Sequence, residues 1–467
     1  MKILFIYLHF FCAWQLCHAQ KNIQWVCTTA EAVWETQKTD NMQATEDRPV
    51  DVEVDLLNPQ QTIDGFGSCF NEMGWTSLSY LSETDRQVVL KELFEPRTGA
   101  NFTICRMPVG ANDFSLNWYS YNETDRDFKM KKFSIDNDRE TLIPFIKSAL
   151  RYNPDLKIWA SPWSPPVWMK ENRHYACQFG ENDIKPEQVR REGVNMFIQE
   201  DAYFKAYALY FTKFIKAYRA EKIAVFMVMP QNEFNSCQPF PSCTWLPSAL
   251  NKFVGKYLGP EMKKLGVELM FGTMERPHPA MVDTLLQDTE SGKYITGAGF
   301  QWDGKHAVAT IHKNYPALKL YQTEQECGNG VNDWGFAMYA WGLMKDYVNN
   351  GVNVYEYWNT SLEEGGTSRW GWRQNSLVTV NAKDKTYQFT YDYYVMKHAS
   401  HFVLPGAKKL PATGNFTDLL AFRNPEGSFV IILRNGEDKI AKPVIRMGKY
   451  TFAPQLKPNS LNTILIK

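Results

Sequence analysis

The chain has 467 residues, with 51 Lys plus Arg against 51 Asp plus Glu, so its formal charge is zero. At roughly 150 residues per domain this length suits three domains, or one large barrel with a smaller companion; the neutrality excludes a broad attraction to nucleic acid or anionic lipid. Hydrophobic residues at 44% and charged residues at 22% exclude long disorder and leave 15 Trp, 23 Tyr and 29 Phe as the unusual feature.

The first twenty residues carry one Lys, an apolar run over 3–14, and then Cys17-His18-Ala19. This three-part layout predicts a secretory signal, residues 1–19, cleaved after Ala19. The run is too short for a comfortable membrane span, so an exported protein without stable membrane insertion is expected, periplasmic or extracellular. Lipid attachment at Cys17 is the lesser alternative, because Trp14-Gln15-Leu16 lacks the small residues such a site needs. Processing leaves seven cysteines. Cys237 and Cys243 flank a short Pro-rich loop and could close a small disulfide. Residues 20–62 are polar, but Val50-Asp51-Val52-Glu53-Val54 alternates as a half-buried strand does, and this segment is expected to complete a β-sandwich formed by the other end of the chain.

Eight short apolar segments follow, at 65–70, 101–108, 156–162, 223–229, 269–274, 295–301, 319–323 and 352–357. Amphipathic stretches lie between them, clearest at 84–93, 140–150, 201–220, 246–265 and 334–349. Eight such alternations predict an α/β fold, a (β/α)8 TIM barrel over 63–390, in preference to an open sheet. From 391 onward short strands such as 419–423 and 428–433 are separated by turns, Asn424-Pro425-Glu426-Gly427 being the clearest. Residues 391–467 are therefore expected to form an all-β sandwich.

Functional residues of such barrels collect at the carboxyl ends of the strands. The fourth strand delivers Asn232-Glu233 and the seventh Thr323-Glu324-Gln325-Glu326. Strands four and seven face each other across the ring, so two carboxyl groups can flank one bond, the requirement for retaining glycoside hydrolysis. A lone Glu at a strand end is usually solvated or ion-paired; two at opposed outlets make catalysis the better reading. Glu324 and Glu326 share a face, and periodicity does not separate them. Other outlets carry Arg106 and Asp113, Trp163, Gln301-Trp302-Asp303, and Trp358-Asn359. Trp beside Asp or Asn at a barrel mouth suits stacking on a sugar ring, while Arg106 and Asp113 could equally pair with each other. Zinc, dinucleotide, P-loop and serine-elbow signatures are missing, and neither metal nor organic cofactor is expected.

Gly65-Phe66-Gly67, Arg106-Met107-Pro108 with Asp113-Phe114-Ser115, Ser161-Pro162-Trp163-Ser164, Asn232-Glu233, Thr323-Glu324 with Cys327, and Trp358-Asn359 with Glu364-Gly365-Gly366 together resemble glycoside hydrolase family 30, the family of the glucosylceramidases. The resemblance runs from about Gly65 to the C-terminus. It implies Glu233 as acid/base and Glu324 as nucleophile, with Asn232 on the sugar 2-hydroxyl and Arg106, Asp113, Trp163 and Trp358 around the terminal sugar. It implies a glucosylceramidase-like retaining β-glucosidase, with an endo-β-1,6-glucanase as the alternative within the family and a catalytically silent carbohydrate-binding barrel as the non-enzymatic one. The partner expected is a β-linked glycan or glycolipid, and no nucleic acid. Where lysosomal members carry His-Trp-Tyr, this chain has Gln301-Trp302-Asp303, a departure that bears on the ceramide substrate.

Overall fold

The computed structural model describes residues 23–39, 42 and 48–467; the expected signal at 1–19 and the alternative at Cys17 lie outside the described residues. Eight parallel strands close into a barrel: β1 Gly65–Cys69, β2 Ile104–Pro108, β3 Lys157–Ser161, β4 Val225–Val228, β5 Glu268–Met274, β6 Ile295–Gln301, β7 Lys319–Glu324 and β8 Val354–Asn359, with β8 returning to β1. Their near-continuous apolar runs follow from burial on both faces. Ile104, Trp159, Met227, Met229, Met270, Tyr321 and Val354 form an inner cluster of their own. Gly67 lets β1 lie close to β2, because a Cβ there would come within 1.6 Å of the Ile104 carbonyl oxygen.

Helices cover the ring where the periodicity predicts them. Helix Glu83–Phe94 starts at Ser82, whose side chain accepts from the Asp85 N–H, and buries Val89, Leu90, Leu93 and Phe94. The expected single helix over 246–265 is instead interrupted: Pro247–Phe253 and Gly259–Leu265 are joined by a π-helical turn, Val254–Leu258. Pro260 has no N–H to donate within this stretch, and the ladder shifts register there.

The sandwich has a six-stranded antiparallel sheet and a four-stranded mixed sheet. In the larger, Ile23–Thr28 pairs along its whole length with Ser460–Ile466, Trp25 opposite Ile464. In the smaller, Val52–Val54 lies between Ala412–Gly414 and Ile445–Met447. The strand Ile23–Thr28 has no counterpart in the sequence reading, which placed alternation only at 50–54. A second difference concerns residues 391–400. Assigned to the all-β tail, they form helix Tyr391–Ser400, capped by Thr390, and the first C-terminal sandwich strand is Lys408–Leu410. His398 in this helix is fully buried and bonds Thr463 Oγ1 at 2.8 Å and Thr28 Oγ1 at 2.9 Å. Burial lowers its pKa to about 3, so it is a neutral tie between helix and sandwich. A three-stranded sheet, Ser361–Glu363, Val378–Asn381 and Thr386–Phe389, follows β8 and was also not anticipated.

The sandwich has its own core, separate from that of the barrel, in which Ile464 is fully buried between paired strands. Ile464→Ala is expected to cost about 2–5 kcal/mol of stability, read as a lower urea midpoint with β-rich structure lost first. All seven described cysteines are free, so the small Cys237–Cys243 disulfide is not formed. Among the described residues no helix is long and apolar enough to cross a membrane.

Candidate active site

Arg106, in β2, is fully buried and organises the barrel mouth. Its Nη1 donates to Glu324 Oε2 at 2.9 Å and its Nη2 to Asn232 Oδ1 at 2.6 Å, while Ser161 Oγ accepts from Nη2 at 2.9 Å and Nε at 3.1 Å. The guanidinium also lies 4.2 Å from the centre of the Trp163 ring. Such saturation is what makes a buried arginine tolerable. Its ionic partner is Glu324; the alternative pairing with Asp113 is not realised.

Glu324 ends β7 with three side-chain donors. Arg106 and Gln301 Nε2 reach Oε2, the latter at 3.1 Å, and Trp302 Nε1 donates to Oε1 at 2.9 Å. Glu233 stands across the cavity in the left-handed backbone region, with φ of 48°. Its N–H donates to Thr273 Oγ1 at 2.9 Å, and that hydroxyl donates to Asn232 Oδ1 at 3.1 Å. Gln301 Nε2 donates to Glu233 Oε1, also at 3.1 Å. Because one nitrogen sits 3.1 Å from both carboxylates, their bridged oxygens are at most twice that, 6.2 Å, apart. That limit falls below the roughly 6.5–9.5 Å of an inverting pair and accommodates the roughly 5–5.5 Å of a retaining one.

The two carboxyls are differently held. Burial raises Glu233 well above the ordinary range, and the charges of Glu275, Glu324 and Asp113 raise it further. Burial raises Glu324 too, but Arg106, Trp302 and Gln301 pull it down. With Gln301 its single side-chain donor, Glu233 is held further toward the protonated form than Glu324.

Glu326, the competing β7 carboxylate, turns away. It accepts from Lys305 at 2.8 Å and Tyr339 at 2.7 Å, outside the cavity. Asp303 is likewise on the rim, within ion-pair distance of Lys305 and His306.

Asp113, Glu233, Glu275, Trp302 and Glu324 line a cavity of about 280 Å³, together with Phe240, Trp372 and Arg373 from surrounding loops. Larger hollows of about 710 and 770 Å³ elsewhere contain neither Glu233 nor Glu324. Asp113 accepts from Trp358 Nε1 at 3.1 Å through Oδ2. Its Oδ1 and Glu233 Oε2 are buried with no hydrogen-bond partner among the described residues, so both can accept from a ligand hydroxyl or, in protonated form, donate to one.

Of the three tryptophans expected to stack on a sugar, Trp302 alone lines the cavity. Trp163 and Trp358 are 1% and 0% exposed and stack on each other 5.1 Å apart. They form a layer behind the wall, where Trp163 supports Arg106 and Trp358 aims Asp113. Asn232 spends its amide oxygen on Arg106, Gln301 and Thr273; like Arg106 it is buried beside the cavity and is not one of its lining residues.

The sequence reading did not nominate Glu275, Thr273, Phe240 or Trp372. Glu275 directly follows β5, so the outlet rule applied to that strand would have found it. Phe240 and Trp372 lie on irregular loops without a periodic signal. Among the described residues no group of three or more His, Cys, Asp or Glu could hold a metal ion.

A closed parallel barrel with paired carboxylates at the outlets of β4 and β7 has the layout of a glycoside hydrolase. A model of the glycosyl hydrolase family 30 TIM-barrel domain matches residues 63–403. The chain belongs to glycosyl hydrolase family 30, and its class is that of the O-glycosyl hydrolases. The lysosomal acid glucosylceramidase of Mus musculus is 24% identical over 433 residues, covering 87% of this chain and 81% of that protein. Among solved structures, SrfJ from Salmonella typhimurium matches with a TM-score of 0.85 at 22% identity, over 95% of this chain and 99% of that one. An endo-β1,6-glucanase matches with a TM-score of 0.80 at 25% identity, over 95% and 99%.

Proposed function

We propose that the protein is a retaining β-glucoside hydrolase, glucosylceramidase-like, working by double displacement with Glu324 as nucleophile and Glu233 as acid/base. The observation that carries this reading is the shared Gln301 donor, which holds Glu233 Oε1 and Glu324 Oε2 within 6.2 Å of each other. An ionised Glu324 oxygen attacks the anomeric carbon while Glu233 passes its proton to the glycosidic oxygen, and the leaving group departs. A glycosyl ester to Glu324 remains. Esterification removes the negative charge that holds up the pKa of Glu233, so Glu233 becomes the better base. It then takes a proton from water, whose oxygen displaces Glu324 and releases the sugar with its original configuration.

The remaining wall suits one neutral ring. Asp113 supplies hydroxyl contacts, and Trp302 supplies an apolar face. At about 280 Å³ the cavity is small beside the roughly 300–1,000 Å³ common for ligand pockets, a size for a single hexose. The endo-β-1,6-glucanase reading is the alternative, favoured by the likeness to the solved glucanase and by Gln301-Trp302-Asp303 in β6 and its outlet. Comparing rates on glucosylceramide, β-1,6-glucan and aryl β-glucosides, with product analysis, separates the two; no hydrolysis of any β-glucoside would remove both. Export through cleavage after Ala19 belongs to the same proposal, and N-terminal sequencing of the secreted protein should begin at Gln20.

Activity should follow a bell in pH, because Glu324 must be ionised and Glu233 protonated. Glu233 is held protonated partly by Glu275. In Glu275→Gln one negative neighbour is lost and the pKa of Glu233 falls, so the alkaline limb of kcat/KM moves to lower pH. An unmoved limb would show that Glu275 does not set it.

A further inference from the structure

The loops after β3 and β4 enclose a buried cation with no carboxylate partner. Lys170 is fully buried, and its Nζ donates to the carbonyl oxygens of Tyr175 at 2.7 Å and Ser242 at 2.6 Å. Among the described residues it forms no ion pair. A buried ammonium calls for a counter-charge, and besides the Glu123 carboxylate three thiols, Cys177, Cys237 and Cys243, feel its charge. The Cys177 thiol donates to the Ser242 carbonyl at 3.1 Å and lies 3.2 Å from Met196 Sδ, while Cys237 Sγ accepts from Nε2 of Gln178, the residue next to Cys177, at 3.6 Å. Backbone pairing brings the two segments side by side, with the N–H groups of Cys177 and Gln178 donating to the Gln238 carbonyl at 2.9 and 3.1 Å. Burial alone would raise the Cys177 thiol, but the Cys237 contact and the Lys170 charge bring it down to about 6. Cys177 is fully buried, whereas Cys237 is only half-buried and open to reagents. Cys243 is buried and has no hydrogen bond to Cys237.

We propose that Cys177 and Cys237 form a dithiol–disulfide couple that ties the loop after β3 to the segment following Glu233. That segment also carries Gln238 and Phe240 of the cavity wall. The oxidant is a low-molecular-weight disulfide, RSSR. Cys237 gives its proton to the Cys177 thiolate and its accessible sulfur attacks RSSR, so a Cys237–SR bond forms, the RS–SR bond breaks and one RS⁻ leaves, taking a proton from solvent. Cys177, giving up its proton again, then attacks the Cys237 sulfur, closing the Cys177–Cys237 bond and expelling the second RS, which takes up that proton. Two cysteine thiols are oxidised and one external disulfide is reduced to two thiols. Lys170 keeps its two carbonyl partners in both states. The assignment is independent of which glycoside the enzyme cleaves.

The test uses the native full chain incubated with oxidised glutathione, alkylated with N-ethylmaleimide in denaturant, and digested without reductant for mass spectrometry. The expected result is the loss of two alkylatable thiols and one cross-link joining the Cys177 and Cys237 peptides, reversed by a phosphine reductant. In Cys243→Ser the same cross-link should form. A Cys237–Cys243 link, a glutathione adduct that stays on Cys237 without closing, or a full complement of alkylated thiols would overturn the proposal.

Discussion

Glu324→Gly is expected to lower turnover of an aryl β-glucoside by about 10⁴-fold or more, the scale seen when an enzyme loses its nucleophile. Azide should restore it and yield the α-glucosyl azide. The small anion enters the space left by the side chain and attacks the anomeric carbon from that face, while Glu233 still protonates the leaving oxygen. Placement of the residue makes the result specific: Glu324 lies in the cavity under Arg106, Gln301 and Trp302, whereas Glu326 is engaged by Lys305 and Tyr339 outside it. Glu326→Gly should therefore retain most activity, and an azide-dependent α-product from that variant would show the nucleophile misassigned.

Glu233→Ala should reduce kcat/KM on glycosides with poor leaving groups by about 10²–10⁴-fold, the usual contribution of a positioned acid/base. Aryl glucosides with strongly acidic phenols need little protonation, so their first step should survive and the glycosyl-enzyme should accumulate. Azide then intercepts that ester from the opposite face and gives the β-glucosyl azide. The alkaline limb of the pH profile should also disappear, because the group whose deprotonation causes it has been removed. A retained alkaline limb would place the acid elsewhere, with Glu275 the first candidate, since it lines the same cavity.

The barrel was legible because its eight strands are buried on both faces and announce themselves as apolar runs, and because the outlet rule turns strand ends into a list of cavity residues. Glu233 and Glu324 emerge from that rule alone. Choosing Glu324 over Glu326 did not, since both share a strand face; Lys305 and Tyr339, which engage Glu326, are distant in sequence. The packing of Trp163 and Trp358 was not legible for a related reason. A Trp at an outlet reads the same whether it faces solvent or backs an arginine, and only packing against Arg106 and Asp113 distinguishes the cases. In the sandwich, Ile23–Thr28 escaped notice because its partner, Ser460–Ile466, is more than 400 residues away and the strand's pattern is not alternating. Helix Tyr391–Ser400 was absorbed into the β tail because its residues are buried on nearly every side, which erases the amphipathic stripe that marks a helix.

The central claim is that Glu233 and Glu324 flank one glycosidic bond closely enough for retention. It is tested most directly by ¹H NMR of the anomeric proton during the first minutes of hydrolysis of a β-glucoside, before mutarotation. The β-anomer of glucose should appear first and the α-anomer only later, at the mutarotation rate. An initial α-anomer would mean inversion, and would contradict the assignment of Glu324 as a nucleophile.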